Sequence, residues 1–263
     1  MVRLEIKNLK FSYNSKPVLK NINIKVSPGK ITAVIGPNAA GKSTLLKCIA
    51  GIIRPEGNIL IEGKEINTIK KDNITKLVSY LTQESSARAV LSVFEVVLLG
   101  RLHSLSWKVD DDDLEVVWGI LKELGIHKLA SRHFNELSGG QRQMVSIAQA
   151  LVREPKILLL DEPTNNLDLQ HQLEIFDLIR ELSVERNITT IITLHQLNMA
   201  ARCADELVIL NNGEVYAAGK PESVLTSEMV RSVYGVNARV NIGEDDGIPQ
   251  IIPINSVRSK RLA

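Results

Sequence analysis

The sequence predicts an α/β fold built around a parallel β-sheet. Residues 157–160 and 188–193 are apolar on both faces, as strands buried inside a parallel sheet are. A helical pattern lies between them, with Leu169, Leu173, Phe176 and Ile179 on one face, so the stretch reads as a β–α–β unit. Residues 31–35 form another short buried strand, which runs into Gly36 and then a helix.

The remaining elements follow in chain order. Leu4 and Ile6, then Ile22, Ile24 and Val26, alternate with polar neighbours, the pattern of a half-buried antiparallel sheet. Pro28 and Gly29 mark a turn. In the helix after Gly36, Leu45, Leu46, Ile49 and Ala50 share a face, and Gly51 stops it. Residues 60–82 read as short strands and loops, and residues 91–152 as helical. The acidic run Asp110 to Asp113 reads as a solvated helix start, because no spaced ligand set surrounds it. Residues 207–210 and 214–217, joined through Asn212 and Gly213, form a hairpin. The tail holds two more strand-like pieces, 238–242 and 250–254, around a polar loop at 243–247. No internal repeat is present.

Composition bounds the function classes. The chain has 263 residues with 32 Lys+Arg against 30 Asp+Glu, a net charge of +2, and 44% hydrophobic residues. That suits one large domain or two small ones with a sizeable core, and argues against disorder. A near-neutral balance argues against a dedicated nucleic-acid binder, so no nucleic acid is expected as a partner. The opening MVRLEIKNLK lacks the continuous apolar stretch of a signal peptide. No run reaches the ~18 apolar residues of a spanning helix. Cys48 and Cys203 sit in apolar helical patterns and read as buried reduced thiols.

Two motifs carry chemistry. Gly36, Pro37, Asn38, Ala39, Ala40, Gly41, Lys42, Ser43 and Thr44 fit GxxxxGK[ST] between a strand and a helix. Such a loop turns its N–H groups inward, and the helix N-terminus adds positive dipole. Lys42 would reach the β- and γ-phosphates, and Ser43 would offer its hydroxyl to Mg²⁺. The second motif is an apolar strand ending in Asp161, Glu162 and Pro163. As a parallel neighbour of the phosphate-loop strand, it would bring Asp161 close to Ser43 and its metal. Glu162 would then orient or deprotonate a water aimed at the γ-phosphate.

With these motifs in the same order, Leu137, Ser138, Gly139, Gly140 and Gln141 resemble the signature of the ATP-binding-cassette ATPases. The resemblance covers almost the whole chain. It implies a P-loop NTPase domain spanning 1–263 with an antiparallel β subdomain. It also implies an inserted helical subdomain at about 85–155 and a C-terminal extension at about 225–263. It places Gln83 in the Q-loop as a metal ligand and hinge, Asp168 in the D-loop, and His195 as the switch histidine on the γ-phosphate. Tyr13 falls where the family sets an aromatic on adenine. Ser138 with Gln141 is a capping box, and the helix it starts offers free N–H groups as a second phosphate site. In the family that signature closes on the nucleotide of a second copy, head to tail, with two ATP sandwiched between. One position departs from the pattern: Ala39 stands where the family usually has Gly. If φ must be positive there, the loop is strained, and the strain should be tolerated.

A single nucleotide-binding half without spanning segments resembles a separate importer subunit. The stretches 97–101 and 164–168, the run 234–240 and the 247–249 turn resemble the importer ATPases for iron-siderophore, haem and vitamin B12. That resemblance implies polytopic membrane permease subunits as partners, contacted through residues 84–101. It also implies a periplasmic or extracellular binding protein acting indirectly, and a place on the cytoplasmic face of the membrane. Two alternatives stay open: a type II importer for another cargo such as molybdate or tungstate, and a soluble cassette ATPase of iron–sulfur assembly.

Overall fold

The computed structural model describes residues 4–69, 71–82, 90–102, 109–165 and 167–257, the side chains of 71 and 72 excepted. Strands β1 (Leu4–Tyr13) and β2 (Lys16–Val26) pair antiparallel, with Leu4 opposite Val26 and Ile6 opposite Ile24. Their alternation buries Leu4, Ile6, Ile22, Ile24 and Val26 on one face. The chain next enters β3 (Ile31–Ile35), buried throughout, and helix α1 (Lys42–Ile49). It returns with β4 (Glu56–Ile61) and β5 (Lys64–Glu65) to complete a four-stranded sheet, β2-β1-β4-β5.

Helix α2 (Lys71–Leu77) precedes β6 (Val78–Leu81). This corrects the expectation of strands and loops over that stretch. The helix has seven residues, and of its described side chains only Ile74 and Leu77 face the core, too short a run for a 3.6 period to stand out.

The helical block holds α3 (Val93–Leu99), α4 (Asp111–Glu123) and α5 (Gly139–Leu151). Ser92 and Glu95 form a capping box on α3, and Asp110 caps α4. The acidic run is only partly solvated. Asp111 and Asp112 are exposed, but Asp113 is buried against Arg101, whose Nε donates to its Oδ1 at 2.5 Å. The pair locks the end of α3 to the start of α4.

The second half alternates β7 (Ile157–Asp161), α6 (Leu169–Glu185), β8 (Thr189–Thr193), α7 (Leu197–Cys203) and β9 (Glu206–Asn211). The hairpin strand β10 (Glu214–Gly219) follows, with Asn212 and Gly213 at φ 50° and 80° in its turn. The resulting six-stranded sheet runs β10-β9-β3-β8-β7-β6, parallel except for β10. Strand β7 is therefore not the direct neighbour of β3, as the sequence had suggested. The crossover through α6 inserts β8 between them.

Alternate residues of this sheet feed two cores. Ala33, Leu158, Leu160 and Ile209 face the helical block, and Val34, Leu159, Ile191 and Leu210 face α1 and the antiparallel sheet. Burial on both faces is what made these strands read as unbroken apolar runs. At the end of the described chain, β11 (Val236–Ile242) and β12 (Pro249–Ser256) pair antiparallel. Asn198 of α7 holds β12 by bonding both backbone groups of Ile251, at 2.7 and 3.2 Å.

Candidate functional site

The phosphate loop joins β3 to α1 at the C-terminal end of the parallel sheet. Gly36 has φ 150°, and a Cβ there would lie 2.2 Å from the carbonyl oxygen of Leu210, so no side chain fits. Ala39 does take φ 62°, a left-handed conformation that costs alanine about 1–2 kcal/mol. Ala40 is buried beneath the loop, while Asn38 and Ala39 are exposed at its crest. No side chain caps α1, whose N-cap is Gly41, so its first N–H groups stay open to an anion.

Lys42 folds back over the loop. Its Nζ donates to the carbonyls of Gly36 at 2.8 Å and Pro37 at 3.1 Å. Burial pushes the ammonium below its ordinary range, while the charges of Glu162 and Asp161 oppose that shift. Around the loop opens a cavity of 860 Å³ lined by Tyr13, Asn38, Ala39, Gly41, Lys42, Ser43, Thr44, Glu162 and His195. That volume is ample for a nucleotide. Tyr13 is half exposed at its rim and stacks edge-on against Phe11, centroids 4.7 Å apart.

The acidic strand end lies across from the loop. Asp161 is in register with Thr193 of β8, which puts the two side chains on one face of the sheet. Thr193 Oγ1 donates to Asp161 Oδ1 at 2.6 Å, and Ser43 Oγ donates to the same oxygen at 3.1 Å. Tyr80 Oη donates to Asp161 Oδ2 at 3.1 Å. Burial first, and then the Asp161 charge, push the Tyr80 phenol well above its ordinary range, so it stays a donor. Ser43 and Asp161 together offer hard oxygen ligands, the set that Mg²⁺ prefers. Gln83, the other expected ligand, lies outside the described residues.

Glu162 takes a left-handed φ of 53°. Its N–H donates to Thr193 Oγ1 at 2.9 Å, its Oε1 pairs with His195 Nε2, and its Oε2 accepts from Asn165 Nδ2 at 3.1 Å. The structure thus brings Lys42, Ser43, Glu162 and His195 around one cavity, with Asp161 bonded to Ser43 behind it.

The signature residues are elsewhere. Ser138 caps α5, and Gln141 completes the box, with bonds of 3.3 and 3.1 Å. A Cβ on Gly140 would come 2.7 Å from Cδ2 of His171, so the α5 start packs directly on α6. Asp168 caps α6 by accepting from His171 N at 2.9 Å and meets His171 Nδ1 at 2.7 Å. Gln172, buried, donates to the carbonyls of Leu167 and Thr164 and holds that loop down. None of Ser138, Gly139, Gly140, Gln141 or Asp168 lines the 860 Å³ cavity of its own chain.

A family model described as ABC transporter matches residues 19–165, more than half of the chain. The chain belongs to the ATP-binding-cassette transporter family. It is an ATP-binding and ATP-hydrolysing subunit, and among the described residues no helix is long and apolar enough to cross a membrane. An uncharacterized ABC transporter ATP-binding protein of Methanocaldococcus jannaschii is 43% identical over 95% of this chain and 98% of its own. The probable siderophore transport system ATP-binding protein of Bacillus subtilis is 37% identical over 96% of this chain and 93% of its own. Among solved structures, an inward-facing candidate metal-chelate type ABC transporter superposes with a TM-score of 0.84 at 31% identity, covering 97% and 98% of the two chains.

Tyr80, Thr193 and Asn165 belong to this cassette's site but were not singled out from the sequence as site residues. Thr193 carried a signal, being the polar last residue of an apolar strand at the sheet's ligand end. Tyr80 carried none, since its partner is 81 positions away in sequence.

Proposed function

We propose that this subunit uses Mg²⁺–ATP hydrolysis to power import of a metal chelate through a membrane permease, and that it acts as a head-to-tail pair of copies. The observation that carries the hydrolytic reading is the Glu162–His195 pair on the same cavity as Lys42 and Ser43. In this reading Glu162 takes a proton from the water that attacks the γ-phosphate, giving ADP and phosphate. His195 orients Glu162 and contacts the γ-phosphate, and Asn165 fixes the second carboxylate oxygen. Lys42 exchanges its loop carbonyls for β- and γ-phosphate oxygens. Tyr13 stacks on adenine, worth about 1–3 kcal/mol.

Ser43, Asp161 and Gln83 would hold Mg²⁺. When bound, the ion neutralises charge on the phosphates.

Two features support the assembly. Ser138, Gly139, Gly140 and Gln141 offer a phosphate-binding helix start that its own cavity does not use, so a second copy can present it. Val90, Leu99, Leu102 and Trp118 of the helical block are exposed, and such side chains suit docking to the permease from the cytoplasmic face. The metal-chelate class rests on the siderophore relative and the metal-chelate neighbour, both covered almost end to end.

Glu162→Gln tests hydrolysis and pairing together. It removes the base but keeps the shape, so turnover should fall about 10²-fold or more. ATP should then hold the variant as a dimer on size-exclusion chromatography. Normal turnover would overturn the base, and a monomer under saturating Mg²⁺–ATP would overturn the sandwich.

A further inference from the structure

We propose that Tyr80 is a positioning residue for the metal: its hydroxyl fixes the plane of the Asp161 carboxylate, so that one oxygen is held toward Ser43. The proposal rests on the Mg²⁺–ATP reading of the same site. A carboxylate turns within a broad torsional well, so an otherwise free Asp161 could tilt its plane away from Ser43. Here each oxygen is tied to a donor on a fixed element. Oδ1 accepts from Thr193 at 2.6 Å and from Ser43 at 3.1 Å, while Oδ2 accepts from Tyr80 at 3.1 Å. Rotation would break these bonds in a setting where Asp161 is only 6% exposed.

The fold explains why Tyr80 can do this. It stands opposite Leu159 in the β6–β7 register, so its side chain shares a face with Asp161 two residues on. Its ring packs against the core beneath α1, which prevents the phenol from following a turning carboxylate. Outer-shell partners of this kind orient a ligand without touching the metal.

Tyr80→Phe keeps the ring and its packing and deletes only the donor. Nucleotide affinity is measured in EDTA and again in saturating Mg²⁺, and the half-saturating Mn²⁺ for hydrolysis is measured at saturating ATP. The affinity in EDTA should be unchanged. The gain in affinity on adding Mg²⁺ should shrink about tenfold, and the Mn²⁺ requirement should rise by a similar factor. Identical metal dependence in both proteins overturns the proposal. So does a loss of nucleotide affinity in EDTA as large as that in Mg²⁺, because Tyr80 would then support the fold rather than the carboxylate. If the unmodified protein itself shows no metal dependence, the Mg²⁺–ATP reading fails first and this one falls with it.

Discussion

Thr193→Val tests the joint between the two carboxylates. Valine matches the shape of threonine but replaces its hydroxyl with a methyl. Thr193 is fully buried, and its Oγ1 both donates to Asp161 at 2.6 Å and accepts from the Glu162 N–H at 2.9 Å. The variant loses one hydrogen bond to a charged group, worth about 1.5–3 kcal/mol, and leaves a backbone N–H without its partner, costing about 1–3 kcal/mol. Asp161 keeps the donors Ser43 and Tyr80, which softens the first loss, so a net destabilisation of about 2–4 kcal/mol is expected. For a chain of this size each kcal/mol moves Tm by about 2–4 °C, so calorimetry should record a drop of about 4–16 °C. Thr193→Ser keeps the hydroxyl and should recover most of that drop. The left-handed Glu162 also loses its anchor, so ATP turnover should fall more in Val than in Ser. A Val variant as stable and as active as the parent would refute the clamp.

Ala39→Gly should relieve the left-handed alanine. The strain of about 1–2 kcal/mol is offset by the freedom glycine adds to the unfolded chain, about 0.5–1 kcal/mol. The net is about 0–1.5 kcal/mol, a Tm rise of up to about 6 °C; a fall would mean that the loop holds no strain at this position. The His171–Asp168 contact should be visible by NMR titration. Bonding to Asp168, with its charge adding, raises the His171 imidazole above its usual 6.5, and bonding to His171 lowers Asp168 below its usual 3.8. The favourable pairing is therefore complete between those two ordinary values. It is lost as pH rises through the elevated His171 value and as pH falls through the depressed Asp168 value. Asp168→Asn should return His171 toward 6.5, and an unshifted histidine in the parent chain would contradict the contact.

Legibility followed sequence distance. The phosphate loop and the signature cap are local, because each is built from residues within one turn-to-helix junction. Glycines at fixed offsets, a lysine and a hydroxyl specify the first, and Ser138 with Gln141 the second. The buried strands were legible because burial on both faces leaves no polar alternation. Helix α2 was missed because seven residues hold too little periodicity. Asp113 was misjudged because its partner, Arg101, sits beyond the reach of helical spacing.

The amino-acid order determined which residues can cradle a phosphate, where three of the parallel strands run, and, through the family resemblance, that Ala39 departs from glycine. Only the folded chain decided that β8 lies between β3 and β7, and so that Thr193 ties Asp161 to Glu162. It alone decided that Tyr80 closes the far side of Asp161 and that the signature residues stand apart from their own cavity. The physical reason is that strand order in a parallel sheet is set by crossovers packing against both faces. Hydroxyls far apart in sequence thereby meet one carboxylate, and no local pattern records the meeting.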